Sequence, residues 1–164
     1  MITRPPRKKK GIVMDSTMLQ KAFPAYFECF HLPECAVEQE LTVYRACKTR
    51  KVEKESFLNT YEENGFSVPA FLEPNDPQVY SLSTFEKLRD IRRFVCIDSK
   101  YDPPYALAKG KTVLQCGVAC RTKEWRPEKK KSSHVDWWLY EGATPWLYFE
   151  EVDYHEELSA HEQP

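Results

Sequence analysis

Residues 134–140 read HVDWWLY. In an extended chain Val135, Trp137 and Leu139 fall on one side and Asp136, Trp138 and Tyr140 on the other, because successive side chains of a strand point to opposite faces. Bulky residues on both sides place this strand inside a sheet that is covered on both faces. The stretch EGATP (141–145) reads as a turn, and WLYFEEV (146–152) is expected to return antiparallel to the strand before it.

Working outward, LTVYRAC (41–47) has the β-branched and aromatic content of a strand. QVYSLS (78–83) reads as a second short strand, and ALAKGKTVLQCGVAC (106–120) as one or two strands broken at Gly110 and Gly117. Three segments have helical character. The first starts at Asp15 or Ser16 and is stopped or kinked by Pro24. VEKESFLNTYEENG (52–65) ends at Asn64 and Gly65, where a left-handed residue suits a helix C-terminus. In STFEKLRDIRRFV (83–95), Phe85, Leu88, Ile91 and Val95 recur at helical spacing, and Ser83 with Glu86 forms a capping-box pattern. The strands are not spaced as βαβ units. The expected fold class is therefore α+β: a single domain with a mixed or mainly antiparallel sheet and about three packed helices.

The 164 residues suffice for one core, and 41% hydrophobic with 13% aromatic content is that of a globular chain. A net charge of -1 conceals segregation. Residues 1–10 carry five bases and no acid, residues 109–131 eight bases and two acids, and residues 136–164 eight acids and neither Lys nor Arg. The expected organisation is a disordered basic arm at 1–12, a globular domain at 13–152 and a frayed acidic C-terminal tail at 153–164. No apolar run of about 18 residues is present to span a membrane. The basic N-terminus lacks the apolar stretch of a secretory signal. The expected compartment is cytoplasmic, where the six cysteines would be free thiols.

Cys29, His31 and Cys35 in CFHLPEC, and Cys116 and Cys120 in CGVAC, are soft-ligand candidates, but neither stretch has the short Cys-x-x-Cys spacing of a structural zinc site. No metal is expected, and the cysteines read as small buried residues. Cys47 lies two residues from Arg45, a neighbour that would lower a thiol pKa. His134, with Asp136 beside it and a basic loop before it, is a candidate acid–base or cofactor-binding residue. No glycine-rich phosphate loop is present.

Arg45 in VYRAC, Ser81 and Ser83 in YSLS, and Glu141 in LYEG occur in an order that resembles the Arg…Ser-x-Ser…Glu pattern of the ADP-ribosyltransferase superfamily. That resemblance implies a non-Rossmann α/β fold that binds NAD. It implies that Arg45 holds the cofactor's phosphates or ribose, that Ser81 and Ser83 shape the nicotinamide pocket, and that Glu141 stabilises the oxocarbenium-like centre as nicotinamide leaves. Glu150 is a rival carboxylate for the last role. The implied activity is NAD-dependent ADP-ribosyl transfer or NAD glycohydrolysis.

Two other readings stand beside it. Trp137, Trp138 and Trp146, with Tyr140, Tyr148 and Phe149, would anchor a protein partner if they were exposed, making the chain a non-enzymatic inhibitor or adaptor. The basic arm and the loop at 121–131, which includes Lys129–Lys131, would bind nucleic acid, with Trp125 as the one aromatic in the basic stretch.

Overall fold

The computed structural model describes residues 21–96 and 103–162. The expected arm at 1–12 and the helix start at Asp15 or Ser16 lie outside them. The chain forms a single α+β domain around one six-stranded antiparallel sheet. The strands are β1 (Thr42–Cys47), β2 (Leu82–Phe85), β3 (Ala106–Lys111), β4 (Gly117–Arg121), β5 (His134–Leu139) and β6 (Phe149–Glu151), in the spatial order β4-β5-β2-β1-β3-β6. Three α-helices accompany it: α1 (Thr60–Glu63), α2 (Leu88–Val95) and α3 (Tyr154–Glu162).

The alternation in HVDWWLY is realised. Leu82 of β2 faces Trp137 and Ala119 of β4 faces Trp137 from the other side. Val43, Leu82, Ala108, Val135 and Trp137 form one apolar face, closed by Phe57 and Phe149. The opposite face carries two separate clusters. Tyr44, Phe85 and Leu107 pack beneath Leu88 and Ile91 of α2. Val118 and Trp138 pack against Phe27, Phe30, Val79 and Tyr80. Each fully buried large side chain contributes about 1.5–3 kcal/mol relative to exposure. Between the two clusters Ser83, in the middle of the sheet, is left exposed.

Trp137 and Trp138 are both 0% exposed, and Trp146 packs against the first cluster. The two β5 indoles are core, so they cannot anchor a partner as the aromatic-surface reading required.

Other expectations shift for local reasons. WLYFEEV does not pair with β5. Its chain makes a 3-10 turn at Pro145–Tyr148 and reaches the far edge of the sheet, where Gly110 of β3 faces Phe149 and Lys109 faces Glu150. Gly110 permits this docking: a Cβ there would run into the Tyr148 carbonyl and the Phe149 ring. QVYSLS is a 3-10 turn at Pro77–Tyr80, capped by Asp76, before β2 begins. The predicted helix at 52–65 is a 3-10 turn at Lys54–Ser56 and then α1. The reciprocal capping box is made there, by Asn59 with Glu62, and Gly65 takes the left-handed φ of 70° after the helix.

Ser83 caps nothing. It lies in β2, and α2 starts five residues later. The free N–H of Lys87 is taken instead by Ser133 Oγ, whose residue is in turn held by the Asp90 carboxylate. The described part of the tail, expected to be frayed, forms α3 at Tyr154–Glu162. Tyr154 and Leu158 of α3 pack on the second cluster, while Glu157 accepts from Tyr44 Oη at 2.8 Å and pairs with Lys109 at 3.0 Å. Cys35 and Cys120, expected as free thiols, form a disulfide across 85 residues.

Replacing Gly110 by Val should lower stability by about 2–3 kcal/mol, as overpacking does at sites that cannot yield. The check is urea unfolding, where the midpoint should fall and the slope should hold.

Candidate functional site

β1 and β2 are neighbours in the sheet but share a single registered pair, Tyr44 with Phe85. Beyond it the guanidinium of Arg45 occupies the space between the strands. Nη1 donates to the Ser83 carbonyl at 2.8 Å, Nε to Ser56 at 3.0 Å and Nη2 to Leu58 at 3.3 Å. The side chain is 6% exposed and makes no ion pair with a carboxylate among the described residues. Burial presses its pKa below the ordinary arginine value. A buried cation satisfied by neutral carbonyls alone retains a strong attraction for an anion.

Arg45 lines a cleft of about 470 Å³ with Ser81, Ser83, His134, Phe85, Phe94 and Tyr105; Lys48, Arg93 and Glu63 stand around it. A second lobe of about 400 Å³ is lined by Asp76, Gln78, Thr122, Arg126, Lys129 and Ser132. The lobes share Thr60, Ser83, Phe85, Arg93 and His134, which stand at the junction. Such a volume suits a ligand of nucleotide size. Two cations are already neutralised: Lys48 by Glu63 at 2.8 Å and Arg126 by Asp76 at 2.7 Å. Arg93 lies over the Phe94 ring at 4.7 Å and, like Lys129, has no carboxylate partner among the described residues. The cleft is therefore electropositive.

Behind its floor is the carboxylate of Asp136, 0% exposed at the centre of β5. It accepts from Ser81 Oγ at 2.8 Å, Thr122 Oγ1 at 2.7 Å, Trp125 Nε1 at 3.2 Å and Gln78 Nε2 at 3.1 Å. Thr122 Oγ1 also bonds His134 Nδ1. A hydroxyl has one proton, and Thr122 gives it to Asp136. Nδ1 must then be the donor toward Thr122, which leaves Nε2 as the proton-accepting nitrogen of a neutral imidazole. Burial lowers the His134 pKa, opposed by the nearby Asp136 charge.

Arg45, Ser81, Ser83 and His134, read from three separate stretches of sequence, thus line one cleft. Glu141 does not join them. It follows β5 at the strand's other end, its N–H donates to the Ala22 carbonyl at 2.8 Å, and it lines a different cavity with Tyr26, Trp137 and Trp146. Glu150 lies on β6 at the far edge of the sheet. Ser81 is buried and gives its hydroxyl to Asp136, whereas Ser83 is open to the cleft. Asp136, Thr122 and Arg93 were not singled out as site residues from the sequence. The Asp two positions from His134 was the available signal, since both fall on one face of a strand.

Of the metal candidates, Cys35 and Cys120 bond each other with Glu124 nearby, and Cys116 is buried. Cys29 lies beside the Tyr80 hydroxyl at 3.0 Å. Cys47 is a core cysteine, fully buried, and burial outweighs the neighbouring Arg45 and pushes its thiol up to about 11.

Comparison with protein-family models, curated proteins and solved structures finds no match to this chain. No helix among the described residues is long and apolar enough to cross a membrane.

Changing Asp136 to Asn would turn an amide N–H₂ toward groups that are themselves donors. Stability should fall by about 3 kcal/mol, the scale of a broken buried charged network, as read by urea unfolding. His134 carries a pH signature. Its folded pKa is depressed, so below its unfolded value of about 6.5 the unfolded chain binds the extra proton and stability falls with pH. The expected slope approaches 1.4 kcal/mol per pH unit between the two values and should be smaller by this contribution in His134→Gln.

Proposed function

We propose that the two-lobed cleft binds NAD and that the chain breaks its nicotinamide–ribose bond, passing the ADP-ribose group to an acceptor or to water. The observation that carries this reading is the buried guanidinium of Arg45, without a carboxylate partner among the described residues, in the same cleft as Ser81, Ser83 and His134. Arg45 and Arg93 supply charge for the pyrophosphate. Phe85, Phe94 and Tyr105 give the lobe an aromatic wall against which the planar ends of the dinucleotide would pack.

The carboxylate role suggested for Glu141 passes to Glu63 in this reading, because Glu63 lines the cleft and Glu141 does not. His134 stands between the lobes, where a base must sit if donor and acceptor occupy one lobe each. An acceptor O–H gives its proton to His134 Nε2 as its oxygen bonds the ribose C1′. The C1′–N bond breaks, and its electron pair stays on the nicotinamide nitrogen and neutralises the ring's positive charge.

Ligand-observed NMR of NAD with the purified protein tests both parts. Saturation should transfer from the parent to NAD, and free nicotinamide should accumulate. Arg93→Glu should weaken binding about 10- to 100-fold, the value of one charge-assisted contact and its reversal. His134→Gln should still bind NAD and release no nicotinamide. Absence of any transfer to NAD at millimolar concentration would sink the reading.

A further inference from the structure

We propose that single-stranded nucleic acid is the acceptor-side ligand of this cleft and reaches it along a basic groove that opens from the second lobe. As an identification of the acceptor the inference rests on the NAD reading; as a binding site it stands on its own geometry. The groove, about 290 Å³, is lined by Lys87, Arg89, Lys123, Lys130 and Lys131, and Ser132 belongs both to it and to the second lobe. Lys129 and Arg126 continue the basic line inward.

The acid in the groove, Glu86, and the one beside it, Asp90, are already engaged. Glu86 is gripped by Arg121 through two bonds, at 2.8 and 3.1 Å. Asp90 accepts from the Ser133 N–H and hydroxyl, with Arg89 at 3.6 Å. Lys87, Lys123, Lys130 and Lys131 are exposed and make no ion pair among the described residues. Arg89 is steadied by a bond to the Lys131 carbonyl at 3.1 Å, so part of the row is held in place rather than free in solvent.

A row of bases, its lysines without ion pairs among the described residues, that ends in a lobe of nucleotide size suits a ligand with one charge per unit and a planar group to place at the end. A nucleic-acid strand has both, and an acidic peptide has only the first. The lobe admits a base only when that base is unstacked, which favours the single strand over the duplex. Phe85 and the His134 imidazole are the rings such a base meets.

Fluorescence anisotropy of a labelled oligothymidylate with the full chain, without NAD, tests this separately from the NAD reading. Five phosphate contacts imply that affinity falls about 100-fold between about 50 and 200 mM salt. In the combined variant Lys123→Glu, Lys130→Glu and Lys131→Glu, binding should weaken at least about 30-fold and the logarithmic salt slope should shrink by about 2. A circular dichroism spectrum like the parent's would establish that the variant is folded. Exchanging Arg4, Arg7, Lys8, Lys9 and Lys10 for Ser should leave most of the affinity. Any of three results overturns the proposal: no binding by the parent, equal binding by the folded groove variant, or a duplex competing as well as the single strand.

Discussion

The carboxylate of Asp136 is the constraint on which the cleft depends. A charge with no access to water costs several kcal/mol unless it is ringed by donors, and here the four donors come from two separate pieces of chain. Ser81 precedes β2, Gln78 is in the turn before it, and Thr122 and Trp125 follow β4. Satisfying one anion therefore ties both flanks of β5 to its centre. The same requirement fixes the imidazole of His134, because the one proton of Thr122 is already committed. Structural demand and chemical poise are the same set of bonds.

Arg45 poses the complementary problem on the other side of β2. Its donors close the space where β1 and β2 part, yet its partners are peptide carbonyls that return no negative charge. Within one cleft a buried anion is fully coordinated while a buried cation is only hydrogen-bonded. That imbalance, with Arg93 and Lys129 near it, gives the cavity its sign.

Much of this was legible in the residues and some could not be. HVDWWLY announces a doubly covered strand because period-2 alternation of large side chains has few other readings. The α+β class follows from strands that are not separated by regular helices. The partner of WLYFEEV was not legible, since it depends on the missing side chain of Gly110, 36 residues before Trp146. The Ser83–Glu86 pair misled because a capping box is a local pattern, while β2 is held by Trp137, Asp136, Val135 and His134 on its neighbour. Arg45, Ser81, Ser83 and His134 were recognisable by residue type, and the sheet brings them to one cleft. Glu141 had the right chemistry on the wrong end of β5: antiparallel pairing sets His134 beside Phe85 and carries Glu141 away toward residue 22.

The sheet has two edges, and each is treated differently. β6 is three residues long and carries Glu150 and Glu151, both exposed, so another strand arriving there meets charge and runs out of backbone. β4 is apolar and would be an inviting template. Val37 pairs with Ala119 across it, the Gln39 side chain takes the same carbonyl at 2.7 Å, and Cys35 is bonded to Cys120 alongside. The disulfide thus does more than shorten the unfolded chain's freedom: it clamps a cover over the one edge able to recruit a second molecule. In a reducing medium the cover would lose its covalent clamp and rest on the Val37–Ala119 bridge, the Gln39 and Glu38 side-chain bonds and the packing of Leu32 and Ala36 beside Trp138.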